Sequence, residues 1–203
     1  MSGTKTVETM SLLGGHPVLD FVNTVDSRIG REGPDYLNSY GDLLTFAERI
    51  ALADPETLAA ARQAAAEDPD AAEAALARAR RLREALYRIC RSESTDEAVP
   101  AEDTALLEAA IRSALGKRRL SAGPSGLAWT FPPVEDLDAV SDRIAIAALD
   151  LLLDGKAARR PIRECPGRNC GWLFIDSSRG GRRRWCSDST CGTGARVRKF
   201  RAV

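Results

Sequence analysis

The chain has 203 residues with 29 acidic and 29 basic side chains, and its apolar fraction of 44% suffices for one large domain or a medium domain with a small appendage. No apolar run reaches the ~18 residues that span a bilayer, and the N-terminal MSGTKTVETMSLLGG lacks the basic start and apolar stretch of a secretory signal, so a cytoplasmic protein with no membrane partner is expected. The neutral sum hides an asymmetry. Residues 1–154 carry 16 Lys/Arg against 26 Asp/Glu, a balance of −10, and residues 155–203 carry 13 against 3, a balance of +10. The tail has the charge of a polyanion binder, the body that of an ordinary soluble domain.

The segment SLLGGHPVLDFVNTVD, residues 11–26, opens with a Gly-Gly turn before a mostly apolar run. Val18, Leu19, Phe21, Val22 and Val25 fit a buried short helix, with a strand as the alternative. The polar interruptions Asp20, Asn23 and Thr24 either brace the following loop through backbone hydrogen bonds or line a ligand pocket. His16, the one histidine, reads as a loop residue beside Pro17 without the partners that acid–base catalysis requires. After a polar loop, Leu43, Phe46, Ala47 and Ile50 predict a helix from Gly41 to Ala53. Asp54-Pro55-Glu56 is a strong helix start, with a capping carboxylate followed by proline and an acid in the first turn, and that helix runs to Glu67. A longer one follows from Asp70 to Ser92 on the stripe Ala75, Ala79, Leu82, Leu86 and Ile89, with Cys90 at its edge as a small buried hydrophobe.

A fourth helix is predicted from Glu102 to Leu115, stopped by Gly116. The runs RRLSA and LAWTF around Gly123-Pro124-Ser125-Gly126 predict a β-hairpin, which Pro132-Pro133 ends. A fifth helix spans Glu135 to Leu153 and closes at Gly155, and KAARRPIRE forms a basic linker. The fold class that follows is α+β: a predominantly helical N-terminal domain over residues 1–158 with a small β element, and a C-terminal module over 159–203.

That module holds Cys165, Cys170, Cys186 and Cys191 in the spacing C-x4-C-x15-C-x4-C. Two close cysteine pairs separated by a hairpin-sized insert suit one tetrahedral zinc ion, each pair gripping one side. Four thiolates close the coordination sphere, so the ion is structural. No nucleophile–base pair or carboxylate dyad appears elsewhere, and an enzyme is not expected.

The run CGWLFIDSSRGGRRRWCSDSTCG, from Cys170 to Gly192, resembles the CGNR-type zinc finger, and LDFVNT, from Leu19 to Thr24, resembles the signature of the ABATE domain that precedes that finger. Together they cover nearly the whole chain in the family's order. The resemblance implies a regulatory N-terminal domain joined to a DNA-binding finger in a bacterial stress-linked transcription regulator, with the zinc ligands on the four cysteines. One departure stands out. The tetrad Cys-Gly-Asn-Arg that names the family reads Cys191-Gly192-Thr193-Gly194. Thr193 can cap a helix as Asn would, but Gly194 supplies none of the contacts of an arginine.

For a treble-clef-like finger, Trp172–Ile175 is expected as one strand, Arg182–Trp185 as the returning strand, and Thr193 to Arg201 as a short helix, with Trp172, Phe174 and Trp185 as a miniature core. The expected DNA contacts are Arg182, Arg183 and Arg184 on the strand and Arg196, Arg198, Lys199 and Arg201 on or after the helix. Other expected partners are a small-molecule effector of the body and a second copy of the chain in a homodimer. The alternative function is a zinc-stabilised module for protein or RNA interaction, which the opposed charges of body and tail would equally serve. On a two-domain division, Cys186→Ser would unfold the tail and leave the helices largely intact.

Overall fold

The computed structural model describes residues 5–31, 33–95, 97–124, 126–131, 136–154 and 156–202. The predicted helix start at Glu135, its stop at Gly155 and the turn residues Ser125, Pro132 and Pro133 lie outside them.

The apolar run after the Gly-Gly turn is helical: α1 spans Pro17–Val22, and Val18 to Val22 are all buried. His16 is its N-cap, with Nδ1 accepting from the Val18 N–H at 3.3 Å. Burial holds the imidazole pKa below its ordinary value, outweighing the pull of Asp150. A histidine with a folded pKa below the unfolded ~6.5 stabilises the fold above the unfolded value, and this contribution is lost as pH falls through it. Asparagine caps a helix without titrating. His16→Asn is therefore expected to flatten the decline in melting temperature between pH 7 and pH 5. A pH profile identical to that of the parent would show that the cap does not titrate.

Helix α2 (Tyr40–Arg49) starts on a reciprocal capping box, the Ser39 hydroxyl accepting from the Asp42 N–H at 3.1 Å and the Asp42 carboxylate accepting from the Ser39 N–H at 2.8 Å. Helix α3 (Pro55–Glu67) begins as predicted, the Asp54 carboxylate accepting from the Thr57 N–H at 2.8 Å. The 27-residue α4 (Pro69–Thr95) is the hub of the molecule. Its buried stripe, including Ala75, Ala79, Leu82, Leu86 and Cys90, packs against α1, α2 and α3, and against α5 (Ala101–Lys117) and α6 (Ala139–Leu149). A wider π-type turn, Asp150–Asp154, extends α6. Strands β1 (Arg119–Gly123) and β2 (Gly126–Thr130) form the predicted hairpin, solvent-exposed along its length, with Leu120 facing Trp129 and Ala122 facing Leu127.

Two expectations change at the C-terminal module. Ile162–Glu164, in the predicted basic linker, is a strand, β3, which pairs antiparallel with β4 (Leu173–Ile175) in the register Ile162↔Ile175 and Glu164↔Leu173. The predicted returning strand, Arg182–Trp185, is an irregular loop. The cause is competition for the other edge of β4. There the Asn23 side-chain amide accepts from the Leu173 N–H at 2.9 Å and donates to the Leu173 carbonyl at 2.8 Å, while the Ile175 N–H donates to the Gly14 carbonyl at 2.9 Å. The N-terminal segment thus takes the ladder positions that a returning strand would need. One continuous apolar cluster results, in which Ile162, Trp172, Leu173 and Phe174 join residues of α1, α2, α4 and α6.

Candidate metal centre and basic groove

The C-terminal centre forms where the loop between β3 and β4 meets the segment leading to the last helix. Cys165, Cys170 and Cys186 are buried, Cys191 is half-buried, and all four Sγ atoms lie within 4.8 Å of one another. The Cys170–Cys186 and Cys186–Cys191 sulfur separations are 3.5 and 3.6 Å. Zinc–sulfur bonds of ~2.3 Å place tetrahedral sulfurs ~3.8 Å apart, whereas a disulfide needs ~2.05 Å. The donor set therefore fits one zinc ion, and the cysteines are free thiols.

Electrostatics point the same way. Hydrogen bonds from Cys170 and Cys186 pull the Cys165 thiol far below its ordinary pKa, while the neighbouring Cys165 pushes those two thiols up. A dication allows all four to ionise together, because it supplies the charge that the surroundings lack.

The backbone of the first pair is wrapped tightly. The Cys165 N–H donates to the Trp172 carbonyl at 2.8 Å and the Cys170 N–H to the Gly167 carbonyl at 3.0 Å. A Cβ at Gly167 would lie 2.7 Å from the Cys191 sulfur, so only glycine lets the second pair close over the first. Gly171 has φ +69°, a left-handed conformation that favours glycine, and a Cβ there would also strike Arg28.

The N-terminal segment holds this knuckle in place. The Arg28 N–H donates to the Cys170 carbonyl at 2.7 Å, the Ser27 hydroxyl to the Asn169 carbonyl, and the Tyr87 hydroxyl of α4 to the Gly171 carbonyl at 3.0 Å. In the other direction, the Trp172 indole N–H donates to the Val25 carbonyl at 2.8 Å. Ion pairs tie the tail to α4: Arg91 to Glu164 at 3.0 Å and Arg159 to Glu93 at 2.8 Å.

Asp20, Asn23 and Thr24 are all buried, with their polar atoms engaged by protein groups. Asp20 accepts from the Gly14 N–H at 2.8 Å, Asn23 bonds β4, and Thr24 donates to the Phe21 carbonyl and accepts from Arg83 at 3.1 Å. Arg83 in turn grips Asp35 through two bonds of 2.7 Å.

The cationic residues separate into two groups. Arg183 turns inward: its guanidinium lies 4.3 Å over the Phe174 ring and donates to the carbonyls of Leu13, Trp185 and Cys186. Arg196 is bound bidentately by Asp188, at 2.9 and 3.0 Å. Arg182, Arg184, Arg198, Lys199 and Arg201 are exposed, and no ion pair to them occurs among the described residues. An open groove of about 840 Å³ runs between the 178–185 loop and the last helix, α7 (Thr193–Arg201), with Arg182, Arg184, Trp185, Arg196 and Lys199 on its walls.

Thr193 does not cap α7. Its φ and ψ of −61° and −44° are already helical, because a π-type turn, Asp188–Gly192, starts the helix earlier, and its hydroxyl donates back to the Asp188 carbonyl at 3.1 Å. Sequence reasoning placed the four cysteines correctly in one cluster but missed the knuckle's holders, Ser27, Arg28 and Tyr87, whose partners lie 84 residues or more away. No local pattern marks such bonds.

Among the described residues no helix is long and apolar enough to cross a membrane. Residues 161–202 match the CGNR zinc finger, and residues 15–155 match ABATE, a family described as "Putative stress-induced transcription regulator". Neither description is enzymatic. A search of curated proteins found no match. A four-cysteine site suited to zinc in a C-terminal CGNR finger, behind a domain match that covers well over half of the sequence, places this chain in the ABATE family.

Proposed function

We propose that the chain is a DNA-binding transcription regulator whose finger grips the phosphate backbone and whose N-terminal domain regulates it. The observation that carries this reading is the set of five exposed cations, Arg182, Arg184, Arg198, Lys199 and Arg201, without acidic partners among the described residues, on the segment that carries the four clustered cysteines. Here the three acids of the tail are engaged elsewhere: Glu164 on Arg91, Asp176 on the Ser178 and Arg183 N–H groups, and Asp188 on Arg196. Arg182 and Arg184 on one wall of the groove and Lys199 on the other suit phosphate contacts, and arginine forks can also reach guanine edges. Arg183 holds the loop that presents its neighbours, and Arg196 is available to an anion only when Asp188 releases it.

Salt dependence tests the reading. A finger making about six phosphate contacts should lose roughly a thousandfold in affinity for duplex DNA between 50 and 200 mM salt. Arg182→Ala/Arg184→Ala should reduce the slope of log K against log salt by about 1.8 and weaken binding for all sequences alike. Unchanged affinity and slope in this variant would remove the basis of the proposal. Tight binding of RNA or protein in place of DNA would favour the interaction-module alternative.

A further inference from the structure

A second cleft, of about 220 Å³, lies between helices α4, α5 and α6. Its floor is apolar, made by Leu82 of α4 and by Leu106 and Ala110 of α5. At ~30 Å³ per water it holds about seven waters, the space for a molecule of roughly seven to ten non-hydrogen atoms. Such a compact apolar floor with a few polar groups at its margin is the usual form of a small-molecule site.

The charges at the margin define the ligand. Asp138 is neutralised by Arg78, which donates to it through two bonds of 3.1 and 3.0 Å. Asp142 shares Lys117 with Asp136, at 2.6 and 2.7 Å. Arg81 is exposed, lines the cleft and forms no ion pair among the described residues, so its guanidinium is the one at the margin not engaged by a carboxylate. One planar guanidinium over an apolar floor matches a monoanion with a small hydrocarbon body. A dianionic phosphate would exceed that single charge and would face two carboxylates. The buried hydroxyl of Ser141, which also lines the cleft, has no hydrogen-bond partner in the protein. An unsatisfied buried polar atom costs stability, a cost that a ligand group hydrogen-bonded to it would offset.

We propose that the α4–α5–α6 cleft binds a small monocarboxylate, with its carboxylate on Arg81, its hydrocarbon body on Leu82, Leu106 and Ala110, and a polar substituent within reach of Ser141. This binding stands whether or not the finger contacts DNA. It also gives the N-terminal domain a route to the finger, since α4 carries both Leu82 and the Tyr87 hydroxyl that holds the knuckle.

The test is thermal melting of the zinc-loaded full chain with benzoate and hexanoate, against benzyl alcohol and benzylamine as neutral and cationic probes of similar size. Benzoate and hexanoate should raise the melting temperature saturably at millimolar concentration, and the alcohol and amine should not. Arg81→Ala should weaken benzoate binding about tenfold, the loss of one charge-assisted bond. Ala110→Trp, which fills the cleft, should abolish it, with zinc stoichiometry as the check that the variant is folded. Ser141→Ala should melt higher than the parent without ligand, because the orphaned hydroxyl is gone. No shift with either carboxylate, an equal shift with benzyl alcohol, or full benzoate affinity in Arg81→Ala would each overturn the proposal.

Discussion

Cys186→Ser is expected to release the C-terminal segment and to lower the melting temperature of the N-terminal helices as well. Structural zinc binding contributes an apparent ~10–16 kcal/mol, as much as the whole stability of many domains, so the finger cannot stay folded on three ligands. From sequence alone the loss would stop at the linker. The bonds from Asn23, Ser27, Arg28 and Tyr87 to the knuckle and β4 indicate otherwise. If the finger unfolds, these groups and the apolar faces of Trp172, Leu173 and Phe174 leave the shared core. A loss of about 4 kcal/mol at that interface corresponds to a shift on the order of 10 °C for a chain of this length. Native mass spectrometry should find one zinc per chain in the parent and none in the variant. Calorimetry should then record the lower transition while far-ultraviolet dichroism retains most of the helix signal. A helical body melting at the temperature of the parent would mean that the two segments are energetically independent.

Asn23→Ala should have the second largest effect, although it touches neither metal nor groove. Leu173 is fully buried, and both its N–H and its C=O depend on the Asn23 amide. Truncation leaves two buried backbone groups without partners at about 1–3 kcal/mol each, a loss that should lower the melting temperature by roughly 10 °C. Asn23→Asp should not restore the parent's stability, since a carboxylate can accept from the Leu173 N–H but repels the carbonyl. A fall of this size without any added ligand also separates the two expectations for LDFVNT. A residue that only lines a pocket could be truncated with little effect on the unliganded protein.

Local physics made most of this fold legible. Asp54-Pro55 fixed a helix start, the spacing of Ala75, Ala79, Leu82 and Leu86 announced the hub helix, and four cysteines at C-x4-C-x15-C-x4-C announced their own cluster. What escaped were features decided by groups far apart in the chain. Three residues, Ile162–Glu164, are too few to signal a strand, and the displacement of Arg182–Trp185 depends on Asn23 and Gly14 taking the β4 edge. Neighbouring arginines are also alike on paper. Arg183 lies over Phe174 and donates to four carbonyls, while Arg184 is exposed with its guanidinium 6.0 Å from the centre of the Trp185 ring. The α4–α5–α6 cleft had no sequence signature, because its residues come from three separate helices and include ordinary leucines and alanines.

The unequal anchoring of the two cysteine pairs sets an order of events for the metal. Cys165 and Cys170 ride on a loop clasped from outside by Arg28, Ser27 and Tyr87, so an arriving ion meets half of its chelate already assembled. Cys191, the least buried of the four, is expected to close the chelate last and to be the first point of attack for a competing scavenger or a peroxide. Demetallation by either agent would therefore begin at the edge that carries α7, loosening the cationic helix while the opposite half of the claw is still docked.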